Sequence, residues 1–127
     1  MTKPLRQATP WLPPIVMMAV IFGLSSMPAG QEDHGTLYVV SRKLGHFGEY
    51  ALLAALWWRA LVTRLPHGRA LALAFTIAVL YAVTDELHQT LVTGRSGNPL
   101  DVGIDTLGAL TAIWLIDRIR GRRSVGP

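Results

Sequence analysis

The residues best suited to chemistry crowd the end of one apolar run, Tyr81-Ala-Val-Thr-Asp-Glu-Leu-His-Gln89. Asp85 and Glu86 can accept or shuttle protons, His88 can carry one near neutral pH, and Gln89 can orient a partner through its amide. A second polar group, Lys43, His46, Glu49 and Tyr50, interrupts another apolar run. A third follows, with Arg95 and Ser96 in a short Gly/Asn/Pro-rich stretch and Asp101 and Asp105 just beyond it. Ionisable groups at or near membrane depth are costly, face a bundle interior as a rule, and mark functional sites by default. His46, Asp85, Glu86 and His88 are therefore the catalytic candidates. Lys43, Glu49, Tyr50, Gln89, Arg95, Ser96, Asp101 and Asp105 are the ligand-binding candidates.

The elements that must position these groups are membrane helices. The 127-residue chain is 50% hydrophobic and 16% charged, with a mean hydropathy of +0.34. Its apolar residues come in runs, and runs of about 18 or more with few charges read as spans. The expected fold is all-α, a single domain over residues 1–127 built as an integral membrane bundle of four transmembrane helices. The spans are placed at about 11–27, 44–62, 70–91 and 101–119, and 28–41 is read as a polar connection. Pro13 and Pro14 fall in the first turn of the first helix, where the leading amides have no helical partner anyway. Gly103, Gly108 and Ala112 are small enough to let neighbouring helices approach closely in the fourth. With no cysteine in the chain, disulfides, thiolate metal sites and cysteine nucleophiles are excluded.

The net charge of +4 does not point to nucleic acid, because the basic residues flank apolar segments and act as topology signals. Lys3, Arg6, Arg59, Arg64, Arg69 and the arginines from Arg118 to Arg123 fall on one side of a four-span arrangement. The positive-inside rule makes that side cytoplasmic, so the chain is expected in the inner membrane with both termini cytoplasmic and lipids as the surrounding partner. All three polar groups then gather at the outer ends of their helices. At about 100° per residue, Lys43, His46 and Tyr50 form one stripe, with Glu49 to its side. Tyr81, Asp85, His88 and Gln89 share a second face, and Asp101, Asp105, Gly108 and Ala112 a third. Lys43 and Arg95 are expected to balance the four acids, since unpaired buried charge is expensive.

Two further stretches carry a resemblance. Arg42-Lys-Leu-Gly-His-Phe-Gly-Glu-Tyr-Ala-Leu-Leu53 resembles the first signature of the VanZ-like membrane proteins, a family named for a glycopeptide (teicoplanin) resistance protein. Asp85-Glu-Leu-His-Gln89, Gly94-Arg-Ser-Gly97, Asp101-Val-Gly-Ile-Asp105 and Thr106-Leu-Gly108 resemble its second. The resemblance implies a multi-pass membrane protein associated with antibiotic resistance, and it carries no mechanism with it. It leaves as candidate partners a cell-envelope precursor or a glycopeptide antibiotic.

Several chemistries fit these residues. One is a pocket that binds an anionic or peptide-like ligand through Lys43 and Arg95. Another is acid/base catalysis with His46 or His88 as the proton carrier, and a third is a charged network that only holds the helices together. No cofactor is expected. A divalent metal between His46-x-x-Glu49 and Asp85-x-x-His88, both at the i, i+3 spacing of carboxylate–histidine sites in bundles, ranks below these. A proton-coupled transporter ranks lower still, because the middle of each span is apolar.

Overall fold

A computed structural model describes residues 9–26, 36–91 and 99–124. A short 3-10 turn, Thr9–Trp11, leads into α1, Leu12–Ser26; α2 is Thr36–Leu61, α3 is His67–Gln89 and α4 is Pro99–Ser124. The described residues contain no strand. Local sequence accounts for most of the helix ends. Pro14 sits buried in the first turn of α1, where its missing amide costs nothing. Pro66 precedes α3 with φ −57° and ψ 154°, an extended geometry from which a helix starts without a steric clash. Pro99 opens α4, and Asp101 in its first turn faces the positive end of the helix dipole.

Two expectations require correction. α2 begins at Thr36 and not at Leu44, so the expected connection over 28–41 is helical in its last part. Leu37, Tyr38, Val39 and Val40 are apolar and follow the last breaker, Gly35, so nothing stops the helix from extending toward the N-terminus. Moreover, among the described residues three helices, not four, are long and apolar enough to cross a membrane: Thr9–Ser26, His67–Gln89 and Pro99–Arg120. The 26-residue α2 is long enough, at about 39 Å against a hydrocarbon thickness of about 30 Å. Its hydropathy is lowered by Arg42, Lys43, His46, Glu49, Tyr50 and Arg59. Three of these polar positions face neighbouring helices: Lys43 and His46 lie against α4 and Tyr50 against α3.

Contacts between helices show an antiparallel bundle. At one end Lys43 of α2 meets Asp101 of α4, Tyr50 meets Asp85 of α3, and Gln89 meets Ser25 of α1. At the other end Trp11 packs on Trp57. There the Trp58 indole N–H donates to His67 Nδ1 at 3.2 Å, and His67 Nε2 lies 3.2 Å from Asp117 Oδ1. Arg120 lies over the Trp58 ring, and Arg118 over Trp114. The start of α1 and the end of α4 are thus at the same end of the bundle.

Alanines make up much of the interior, with Tyr50, Leu53 and Ile21 the large side chains among them. Along α3 the buried positions are Ala70, Leu71, Ala74, Ala78 and Ala82, then Asp85, Glu86 and Gln89. Leu73, Leu80, Val83 and Leu87 on the same helix are exposed. Such a distribution suits a bilayer: lipid is as apolar as leucine, so helices associate through close packing of small residues and through polar contacts. α1 is peripheral, burying only Pro14, Ile21 and Ser25. The tightest approach joins α2 and α4 at Gly108, where an added Cβ would collide with the Phe47 carbonyl oxygen. Gly103, by contrast, has nothing within 4 Å of its Cβ position, so it is not a packing glycine.

Candidate functional site

The alanine stripe of α3 brings the backbones close together, and its continuation one turn higher brings three polar side chains together with little space around them. Asp85 is 4% exposed, Asp105 2% and Tyr50 0%. The Tyr50 hydroxyl donates to Asp85 Oδ2 at 3.3 Å. The Gln89 side-chain N–H donates to the same oxygen at 3.4 Å, and also to Ser25 Oγ at 3.4 Å. Across the α2–α4 seam, His46 Nδ1 lies 3.4 Å from Asp105 Oδ1. That is ion-pair distance, yet the two groups are not aligned for a hydrogen bond. His46 Nδ1, Asp85 Oδ1 and Asp105 Oδ1 are all buried without a hydrogen-bond partner. One ligating atom from each of His46, Asp85 and Asp105 lies within 4.8 Å of the others.

The expected charge balance is only partly realised. Lys43 Nζ pairs with Asp101 Oδ1 at 3.3 Å, at a part-buried position nearer the helix ends. Among the described residues, neither Asp85 nor Asp105 has a lysine or arginine partner. Glu49 is half-buried and close enough to His46, Asp105 and Asp85 to interact with them electrostatically. Glu86 is buried and has a partner of its own. Arg95 and Ser96 lie outside the described residues.

His88 does not join the cluster. Its ring stacks on Phe22 of α1, with centroids 4.4 Å apart, and its Nε2 lies 3.5 Å from Ser26 Oγ. The i, i+3 spacing from Asp85 turns His88 toward α1, while Asp85 points between α2 and α4. The expected metal pairing of His46-x-x-Glu49 with Asp85-x-x-His88 is therefore replaced by a group drawn from three helices: His46, Asp85 and Asp105. Tyr81, placed on the same face as Asp85, instead donates to the Met18 carbonyl and ties α3 to α1.

Ser25 and Ser26 escaped the sequence reading. They contact Gln89 and His88 from a helix that looked merely apolar. The available signal was a pair of hydroxyl residues closing the apolar run of α1 at the depth of the acidic cluster. The alanine stripe was also legible, as small residues four apart over Ala70 to Ala82.

Chemically, the arrangement offers an imidazole and two carboxylates aimed into one small buried space. Ringed by a phenol and an amide that hold Asp85, such a group can take a proton, a metal ion or a cationic group of a ligand. Comparison with known proteins adds the family. Neither a search of the curated proteins nor one of the solved structures finds a match. The family model described as VanZ/LLP1 matches residues 10–120. That match spans all four helices and every described residue of the polar cluster, and with three span-competent helices it makes this a multi-pass membrane protein. The chain belongs to the VanZ-like family.

Proposed function

We propose that this VanZ-like protein lies in the inner membrane with both termini cytoplasmic. Its polar cluster then faces the outer side and engages cell-envelope material or a glycopeptide antibiotic. The observation that carries this reading is the convergence of buried polar groups from all four helices at one end of the bundle, where among the described residues Asp85 and Asp105 have no lysine or arginine partner. A cluster serving only to join helices would gain by pairing those carboxylates, since unpaired buried charge destabilises a fold strongly. The orientation rests on the flanking arginines, which place the opposite end of the bundle in the cytoplasm. Lys43, paired with Asp101 nearer the helix ends, would have to exchange that partner to bind an anionic or peptide-like ligand.

The test is teicoplanin susceptibility of a sensitive host expressing the wild type or the His46→Ala/Asp85→Ala double variant at equal membrane abundance. Protection by the wild type alone supports the reading. Equal protection by both makes the cluster scaffolding, and protection by neither removes the resistance role. A catalytic version, with His46 as the proton carrier, is favoured by its contact with Asp105. It predicts that ligand binding survives the loss of His46 while turnover does not.

A further inference from the structure

We infer that His46, Asp85 and Asp105 form a binding site for one divalent transition metal ion, with Zn²⁺ the best match. Three observations converge on it. The first is orphaned valence. His46 Nδ1, Asp85 Oδ1 and Asp105 Oδ1 are buried, have no hydrogen-bond partner, and come from three different helices. Burying so many unsatisfied acceptors in one place is expensive unless something joins them.

The second is geometry. Two ligands about 2.0–2.1 Å from a tetrahedral zinc are about 3.3–3.4 Å apart. His46 Nδ1 and Asp105 Oδ1 are 3.4 Å apart without being aligned for a hydrogen bond. Asp85 belongs to the same set: one ligating atom from each of the three residues lies within 4.8 Å of the others. Three protein ligands of nitrogen and oxygen leave a fourth position open, as in sites that act on a bound molecule.

The third is the support behind the ligands. Both Tyr50 and Gln89 donate to Oδ2 of Asp85, which leaves Oδ1 as the free oxygen and fixes its direction. Ligating carboxylates are held by hydrogen bonds of this kind as a rule. Charge agrees as well. A protonated His46 would offset only one of the two carboxylates, while a divalent ion beside a neutral imidazole offsets both. Among the described residues Lys43 does not do so, because it is engaged with Asp101.

The site uses the same cluster as the proposed function but stands independently of it. A chain that holds metal and gives no protection would keep this inference and remove the resistance role. The experiment is elemental analysis of the full chain, purified in detergent through a tag without histidines, stripped with a chelator and reloaded with Zn²⁺ or Mn²⁺. About one equivalent per chain is expected for the wild type, with a raised melting temperature in the presence of metal. His46→Ala and Asp105→Asn should lose the bound ion, while Asp117→Asn at the far end of the bundle should keep it. Tyr50→Phe should hold it roughly 10–100-fold more weakly, as for other residues that support a ligand.

Wild-type protein that takes up less than about 0.1 equivalents and shows no thermal shift overturns the inference. So does uptake by Asp105→Asn equal to that of the wild type. The wild-type titration needs no variant, so a variant that fails to fold does not shield the inference from refutation.

Discussion

Gly108 controls how closely α2 and α4 can approach, and its replacement by alanine should loosen both the bundle and the site. A Cβ at Gly108 would lie 3.0 Å from the Phe47 carbonyl carbon and 3.1 Å from its Cα, and closer still to the carbonyl oxygen. Carbon atoms prefer about 3.5–4.0 Å, so the helices must separate by roughly 0.5–1 Å, a gap that forfeits about a quarter to a half of each dispersion contact along the seam. Overpacking of this kind costs about 1–3 kcal/mol. Alanine also favours the helix over glycine by about 1 kcal/mol, which partly masks the clash. Gly103→Ala removes that ambiguity. It lies on the same helix with nothing within 4 Å, so it gains the propensity term without the clash. The difference in stability between the two variants should therefore be about 1–3 kcal/mol in favour of Gly103→Ala. Reversible unfolding in detergent micelles, followed by circular dichroism, measures it. The separation would also stretch the 3.4 Å contact between His46 and Asp105, because Phe47 adjoins His46 and Gly108 lies one turn below Asp105. Equal stabilities for the two variants, within about 0.5 kcal/mol, would refute the close approach and with it the geometry of the cluster.

Other perturbations separate the cluster from its surroundings. Tyr50→Phe leaves Asp85 with one donor fewer and should cost about 1.5–3 kcal/mol, the range for a hydrogen bond to a charged group, by the same unfolding measurement. A double-mutant cycle on Lys43 and Asp101, whose side chains are 35% and 18% exposed, should return only about 0.2–1 kcal/mol and shrink as salt is added. Asp117→Ala, with its carboxylate 63% exposed, should change stability by no more than about 0.5 kcal/mol and leave teicoplanin susceptibility unaltered. A topology reporter inserted between residues 31 and 36 should score on the outer side of the membrane; a cytoplasmic score would turn the cluster inward and end the proposed envelope role.

The sequence by itself determined the class of the molecule: apolar runs and flanking arginines require membrane helices, and their order is visible without a structure. It also determined which residues are anomalous, because a histidine or carboxylate inside an apolar run is costly wherever its side chain points. The helical wheel placed Asp101, Asp105, Gly108 and Ala112 on one face, and the structure has Asp105, Gly108 and Ala112 buried. What periodicity could not decide was the partner of each group, because the wheel gives directions around one axis and not which neighbouring helix lies there. Hence His88 was placed with Asp85 and is found stacked on Phe22, while Asp105 rather than Glu49 completes the group around His46. Among the described residues only three of the four helices are apolar enough to span, for a related reason. Hydropathy averages over all sides of a helix, whereas the cost of a polar residue depends on the side it faces. α2 carries Lys43, His46 and Tyr50 against α3 and α4, so its average hydropathy understates how well it fits the bundle. Only the packing of four helices, set by alanines and by Gly108, decides that three scattered residues share one buried space.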